Sequence, residues 1–344
     1  MSFFSKLKGW FAGSKKPGPL KGSQDVPEVL PKEPADQPAS ILDLFQDHFP
    51  TAPTPQPKAA QDYGPVDVII CVHNALEDVK KCLHSVIEKT HYNYRIILVN
   101  DGSDAETTDF LRRFSKTHRH CDLLENKNPL RYTFAANQGM RHSVAPIVIM
   151  LNSDTVVPEK WMTYLMEALH SGAKVGMAGP LSNAASWQSV PRIFDSSGDW
   201  AVNYLPQGYD VDKFSKLIHR ISEKNFPKVD FLNGFCLAIK REVIKKIGYF
   251  DEVVFPKGYG EENDYCLRAR AAGFELAIAD HAFVYHSKSR SYQHGQRQKL
   301  SLDSSIGLIK KHGAGRVKAG LDSTRHHPAL VQIRMRIEKA LENL

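Results

Sequence analysis

Four short polar stretches, each closing an apolar run, hold the residue types that could do chemistry. They are Val99-Asn100-Asp101-Gly102-Ser103, Leu151-Asn152-Ser153-Asp154, Gly260-Glu261-Glu262-Asn263-Asp264 and Tyr285-His286. Carboxylates at the C-terminal ends of strands in an open α/β sheet face the crevice where ligands bind. Such a set suits a divalent cation and a nucleotide diphosphate, with one carboxylate left over to act as a base. The combination points to sugar transfer.

For those residues to meet, a sheet must bring their strands side by side. Val66–Val72 reads as an apolar strand, and Leu76–Lys89 as a helix with Val79, Leu83, Val86 and Ile87 on one face. Strand Arg95–Asn100, helix Glu106–Lys116, a weaker strand Asp122–Glu125 and helix Phe134–His142 follow. Next come strand Ile147–Leu151, helix Glu159–His170 just after Pro158, and strand Val175–Ala178. This alternation predicts an α/β fold: a doubly wound, mostly parallel mixed sheet flanked by helices. The rhythm fails between Ser182 and Val229, where Trp187, Trp200, Tyr204 and Tyr209 suit either stacking on sugar rings or a minor core. It resumes with strand Phe231–Ile239, helix Glu261–Ala272 and strand Leu276–Tyr285. Two helical segments, Lys299–Lys311 and Leu330–Leu344, make a C-terminal helical extension over 293–344.

The two ends differ from the middle in charge. Ser287–Leu344 carries twelve Lys/Arg against four Asp/Glu, and residues 1–16 carry four lysines and no acid. With a net charge of +7 overall, the remainder is acidic, as suits a metal-binding core. The basic ends could face anionic lipid or a phosphorylated acceptor, or form a solvated helical surface; no nucleic-acid motif accompanies them, so none is expected as a partner. Phe3, Phe4, Leu7, Trp10 and Phe11 recur at helical spacing in 1–16, a pattern shared by interfacial helices and by short helices docked on their own protein. Ten prolines between Pro17 and Pro57 make 17–65 a linker, with a docking segment near 41–49. No apolar run approaches the ~18 residues needed to span a bilayer. Five cysteines without C-x-x-C spacing argue against a disulfide framework or zinc knuckle. The start of the chain lacks a secretory signal pattern. The expectation is a cytoplasmic protein, with residues 1–16 either in peripheral contact with an anionic inner membrane face, docked on the protein, or a disordered tail.

The ordered motifs over Val66–Tyr292 resemble the inverting glycosyltransferases of family 2, whose nucleotide-sugar-binding fold is called GT-A. The resemblance makes 66–292 the transferase domain, of the type that builds bacterial surface polysaccharides. It places Val72-His73-Asn74 at the nucleoside pocket, with Cys71 and His73 where proline and an aromatic often stand; helix capping by Asn74 is the alternative. Asp101 would hydrogen-bond base or ribose. Arg131 and Asn137, in Arg131-Tyr132-Thr133-Phe134-Ala135-Ala136-Asn137-Gln138-Gly139, would face diphosphate and nucleoside. Asn152-Ser153-Asp154 is the counterpart of the D-x-D motif, with Asp154 on the metal and Asn152 near the sugar. In Gly260-Glu261-Glu262-Asn263-Asp264, Glu262 stands at the position of the catalytic base, with Asp264 its rival and Glu261 beside both. His286 would be a second metal ligand, with Lys288 or Arg290 toward phosphate. Trp187, Asn233 and Gly234 would frame the acceptor.

The resemblance implies an enzyme that passes a hexosyl or deoxyhexosyl unit from a nucleoside-diphosphate sugar, with Mg²⁺ or Mn²⁺, to a glycan or lipid-linked sugar acceptor. The alternative is a catalytically silent nucleotide-sugar-binding scaffold module. A nucleotidyltransferase would need a glycine- and lysine-rich loop after the first strand, where His73-Asn74-Ala75-Leu76 offers none.

Overall fold

The computed structural model describes residues 63–288 and 294–342. The 1–16 segment, all but the end of the 17–65 linker, and Arg290 lie outside the described residues. The first elements follow in the expected order: β1 (Val66–Val72), α1 (Leu76–Lys89), β2 (Tyr94–Asp101), α2 (Ala105–Thr117), β3 (Cys121–Asn126), α3 (Tyr132–His142) and β4 (Ile147–Leu151). Local chemistry explains their edges. Asp104 caps α2 by accepting from Thr107 N at 2.8 Å. Acidic Glu77 and Asp78 open α1, and Lys89 closes it, each favourable to the helix dipole.

Beyond β4 run β5 (Thr155–Val156), α4 (Trp161–Leu169), β6 (Val175–Leu181), a 3₁₀ turn (Ser186–Gln188), α5 (Val211–Ile221), β7 (Lys228–Val229), β8 (Cys236–Lys240) and α6 (Arg241–Ile247). The chain continues through α7 (Glu261–Ala271), β9 (Glu275–Phe283), β10 (Tyr285–His286), α8 (His294–His312), α9 (Ala314–Arg325) and α10 (Pro328–Glu342). The principal sheet has the order β3-β2-β1-β4-β8-β6-β9-β7, and β10 pairs with β5 in a separate two-stranded ribbon.

Three departures from the sequence reading have physical causes. The expected strand from Phe231 begins only at Cys236. Ahead of it, Leu232 N donates to Cys266 Sγ and Asn233 N to Gln188 Oε1, so these amides serve tertiary contacts rather than a ladder. The expected strand 276–285 divides into β9 and β10, which belong to different sheets. The C-terminal extension contains three helices, not two, because Gly313 and Gly315 interrupt the apolar periodicity that would announce α9.

Strands β1, β2 and β3 are mutually parallel, β4 is parallel to β1, and β8 is antiparallel to both β4 and β6. The order reverses between β1 and β4, so the ligand crevice of an open α/β sheet falls there. Because β8 runs backward, Cys236 pairs with Leu151 and the preceding loop is delivered to the same edge. Since β6 and β9 are parallel to each other, β10 and the turn after β6 also reach this edge. Apolar residues alternate to the two faces: Val68, Ile70 and Val72 pack with α1, α2 and α4, while Ile69, Ile97 and Val99 pack with α3, α5 and the C-terminal helices.

Candidate active site

At the β1 and β2 ends, two turns are stitched together. His73 donates from Nδ1 to the carbonyl of Asp101 at 2.9 Å. Asn74 N donates to Ser103 Oγ at 3.0 Å, Asn74 Oδ1 accepts from Asp104 N at 2.8 Å, and Ser103 Oγ donates to the Val72 carbonyl at 3.4 Å. Asn74 is therefore a cross-link between turns; Ala75 stands at the start of α1, which has no side-chain cap. The buried Asp101 carboxylate accepts from Asn126 Nδ2 (3.0 Å), Leu130 N (2.8 Å) and Arg131 N (2.8 Å). A carboxylate has about four acceptor directions. One is taken by the end of β3 and two by the 127–131 strap, which leaves one direction open. The strap explains Gly102, whose φ is +65°: a Cβ there would sit 2.6 Å from Pro129 N. Arg131, at φ +81°, is exposed on the strap.

Across the crevice, β5 and β10 bring Asp154 and His286 together. His286 Nδ1 lies 3.0 Å from the Ala184 carbonyl, which can only accept, so Nδ1 carries the hydrogen. Its Nε2 faces Asp154 Oδ1 at 3.2 Å. Asn183 holds the His286 backbone on both sides, accepting from His286 N (2.7 Å) and donating to its carbonyl (3.1 Å). Ser287 N donates to the Asp154 carbonyl at 2.9 Å. Two acceptor atoms face each other, and a histidine whose other nitrogen is pinned to a carbonyl is the usual orientation for a metal ligand. The donor set fits a divalent cation. Among the described residues no group of three or more His, Cys, Asp and Glu side chains could hold a metal unaided.

The loop before β8 connects this pair to the glutamates. Asn152 N donates to the Phe235 carbonyl at 2.8 Å, and the Phe235 ring stacks on His286 with centroids 5.4 Å apart. Ser153 is partly exposed between Asn152 and Asp154. At Gly234 a Cβ would lie 3.4 Å from Glu262 Cβ. Glycine thus lets the loop pass directly beside the glutamate. Glu262 Oε2 accepts from Gly260 N at 3.1 Å. Gly260 must be glycine: its φ is +97°, and an added Cβ would lie 2.0 Å from Ser304 Oγ. Burial, followed by the charges of Cys71, Glu261 and Glu262, pushes the phenol of Tyr132, at the start of α3, well above its ordinary value.

Burial raises the Glu262 carboxyl above its ordinary value of 4.5, against the opposing effect of the amide donors around it. Burial, followed by the neighbouring Glu262 charge, pushes Glu261 well above the same value. Glu261 Oε2 is buried without a hydrogen-bond partner. An acid with a raised folded-state pKa contributes stability that is fully present below 4.5 and is lost as pH rises through the folded value. The contribution of Glu261 is therefore expected to fall across that window, so the Tm of Glu261→Gln should rise relative to the parent as pH increases toward neutrality. A Gln variant whose melting curve tracks the parent at every pH would contradict this.

Three residues stand elsewhere than expected. Asp264 is fully buried and turned away, paired with Arg268 Nε (2.7 Å), His312 Nε2 (2.7 Å) and Lys311 Nζ (2.8 Å). The i,i+2 spacing on α7 puts Glu262 and Asp264 on different helix faces, so Asp264 fastens α7 to α8 and leaves Glu262 as the base candidate. Asn137 is fully buried; it donates to the Phe250 carbonyl (2.9 Å) and Glu252 Oε1 (2.8 Å) and accepts from Phe250 N (2.9 Å). Its amide holds α3 to the 248–255 loop rather than facing a nucleoside. Trp187 packs edge-on against Trp200 at 4.5 Å and Phe194 at 6.0 Å in the core beneath the C-terminal helices. It takes the minor-core role, whereas Tyr204 is 84% exposed. Asn233 spends its side-chain oxygen on Phe235 N (3.2 Å), shaping the loop that carries Gly234. The sequence reading gave no role to Asn183 or Gln188, because the His286 backbone that Asn183 holds is 103 positions away and the Asn233 amide that Gln188 accepts from is 45 positions away.

A family model described as glycosyl transferase family 2 matches residues 67–248. Glycosyltransferase AglE of Haloferax volcanii is 25% identical over 223 residues, covering 64% of this chain and 66% of that protein. Poly-beta-1,6-N-acetyl-D-glucosamine synthase of Staphylococcus epidermidis is 24% identical over 226 residues, covering 65% of this chain and 48% of that one. The chain thus spans between about half and two-thirds of the length of these curated relatives. Among solved structures, the mannosyltransferase PcManGT from Pyrobaculum calidifontis, in complex with GDP-Man and Mn²⁺, superposes with a TM-score of 0.56 at 16% identity, over 88% of this chain and 81% of that one. The shared architecture is the GT-A fold: a mostly parallel mixed sheet between helices, with a helical C-terminal part. The matched region holds β1 through α6, and with them the β1, β2 and β4 ends of the crevice, while Glu262 and His286 lie beyond it; the chain belongs to glycosyltransferase family 2.

Proposed function

We propose that the protein is an inverting, nucleotide-sugar-dependent transferase that moves a hexosyl or deoxyhexosyl unit to an acceptor hydroxyl. The observation that carries this reading is the contact of the Gly234 loop with Glu262 on one side and, through Phe235, with the Asp154–His286 pair on the other. A base and a diphosphate-holding pair then flank one reacting centre, as in-line displacement requires. Glu262 accepts the proton of the acceptor hydroxyl as its oxygen attacks the anomeric carbon. Its raised pKa brings its basicity nearer to neutrality. The remaining acceptor direction of Asp101 meets base or ribose, with His73 and Asn74 shaping that pocket. Arg131 and Lys288 offer cations to the diphosphate. Asp154 and His286 would hold the metal ion, and an imidazole–carboxylate pair suits Mn²⁺ better than Mg²⁺. When bound, the ion neutralises the leaving diphosphate.

For the acceptor, we favour a growing surface glycan or a lipid-linked sugar, with the basic C-terminal helices toward its anionic part and residues 1–16 at an anionic membrane surface. No described helix is long and apolar enough to cross a membrane. The test is release of nucleoside diphosphate from UDP-, GDP- and dTDP-sugars with and without Mn²⁺, with the anomeric configuration of the product read by NMR. Metal-dependent release with inversion is expected. No release from any donor would leave the silent scaffold reading in its place.

A further inference from the structure

Arg334 on α10 lies far along the chain from every motif above, yet it is buried, with 7% of its surface exposed. Among the described residues no carboxylate is within ion-pair range of it; instead Nε donates to the Ser189 carbonyl at 3.1 Å and Nη2 donates to the Trp187 carbonyl. Those carbonyls end the 3₁₀ turn, where backbone acceptors are left over and a cation is favoured. Burial lowers the guanidinium to about 10, so it remains charged at neutral pH. A desolvated cation spent on two main-chain oxygens is costly for packing alone.

What the turn does suggests why the cost is borne. Within the 182–190 segment, Ala184 supplies the carbonyl that sets the His286 tautomer, and Asn183 grips the His286 backbone. Gln188, between the two carbonyls that Arg334 holds, accepts from Asn233 N at 2.7 Å and donates to the Pro180 carbonyl at 2.6 Å. Asn233 in turn shapes the loop whose Gly234 lies beside Glu262. Ser189 Oγ accepts from Ala185 N at 2.8 Å, which ties the turn to the carbonyl next to it. We infer that Arg334 is a positioning residue: by fixing the 187–189 carbonyls it sets the orientation of His286 toward a divalent cation and the placement of the Gly234 loop against Glu262. The inference rests on the metal role proposed for Asp154 and His286. It assigns the C-terminal extension, which lies outside the 67–248 family match, a part in assembling the site.

The test uses the full chain with Mn²⁺ as probe, alone and with UDP or GDP, free Mn²⁺ being read by electron paramagnetic resonance and folding by thermal melting. The variants are Arg334→Gln, Arg334→Lys, Asp154→Ala and Ile337→Ala, the last a buried apolar residue of the same helix. Arg334→Gln is expected to weaken Mn²⁺ binding with nucleotide by about 10–100-fold, as loss of a group supporting a ligand does, with Arg334→Lys recovering part of it. Ile337→Ala is expected to lower Tm while keeping wild-type Mn²⁺ affinity well below the melting range. Wild-type affinity in Arg334→Gln would overturn the inference, as would a loss in Ile337→Ala that scales with Tm in the same way. Should Arg334→Gln not fold, Arg334→Lys decides, since weakened affinity at an unchanged Tm supports positioning and unchanged affinity refutes it. Failure of the metal assignment itself shows in different arms: no Mn²⁺ binding by the wild type, or undiminished binding by Asp154→Ala, removes the basis of both readings.

Discussion

Glu262→Gln is expected to lower the transfer rate by about 10²–10⁴-fold while nucleotide affinity stays near that of the parent, because the amide keeps the shape of the side chain but cannot take a proton. The same substitution should abolish the acid limb of the rate–pH profile. In the wild type that limb falls as pH drops through the raised Glu262 value, since only the carboxylate accepts the acceptor proton. Initial rates across pH, with isothermal titration of the nucleoside diphosphate, check both parts. A Gln variant with parental turnover would remove Glu262 from the chemistry. Asp264→Asn supplies the contrast. It strips a fully buried carboxylate from Arg268, Lys311 and His312, so it should cost about 3–5 kcal/mol of stability in denaturant titration. Whatever Asp264→Asn does to turnover should follow the folded fraction and leave the acid limb in place.

The second large effect is expected at the opposite wall. Asp154→Ala or His286→Ala should each weaken Mn²⁺ binding in the presence of nucleotide by at least about 10²-fold, and lower turnover by a similar factor at limiting metal. The reason is arithmetic of donors. Among the described residues no third His, Cys, Asp or Glu joins the proposed pair, so removing one would leave a single protein ligand, with the diphosphate supplying nearly everything else. Excess Mn²⁺ should therefore rescue His286→Ala partly and Asp154→Ala less, because the carboxylate carries the charge. Equal metal dependence in the parent and in both variants would exclude the pair as the metal site. His286→Ala should also loosen Phe235, whose ring stacks on the imidazole, so a modest fall in Tm is expected alongside.

The C-terminal extension changes how these effects should be interpreted. Lys311 and His312 hold Asp264, two residues from Glu262, and Ser304 sits where Gly260 could carry no side chain. Arg334 reaches the Trp187 and Ser189 carbonyls in the segment that also holds His286. Truncation within 294–342 would consequently disturb both walls of the crevice and would not report on any one of them.

Much of this protein was legible as linear text. Short apolar runs placed β1, β2 and β4, which are buried on both faces of the sheet, and period-3.6 patterns placed the helices, each of which buries one face. The acid-rich strand ends pointed to one sheet edge for a simple reason: parallel strands expose the same end, so Asp101 and Asp154 emerge together. Where the pattern failed was equally physical. Asp264 and Glu262 look interchangeable in a string of letters; their separation by two residues on a helix, and three basic partners drawn from α7 and from the distant α8, made one a clamp and left the other open. Asn137 carried a motif's amide, yet Phe250 and Glu252, more than a hundred positions away, consumed it. Trp187 could have served a sugar or a core, and burial under α9 and α10 chose the core. Periodicity records what a side chain must avoid, namely water; which partner it meets depends on contacts that close only when the whole chain has folded.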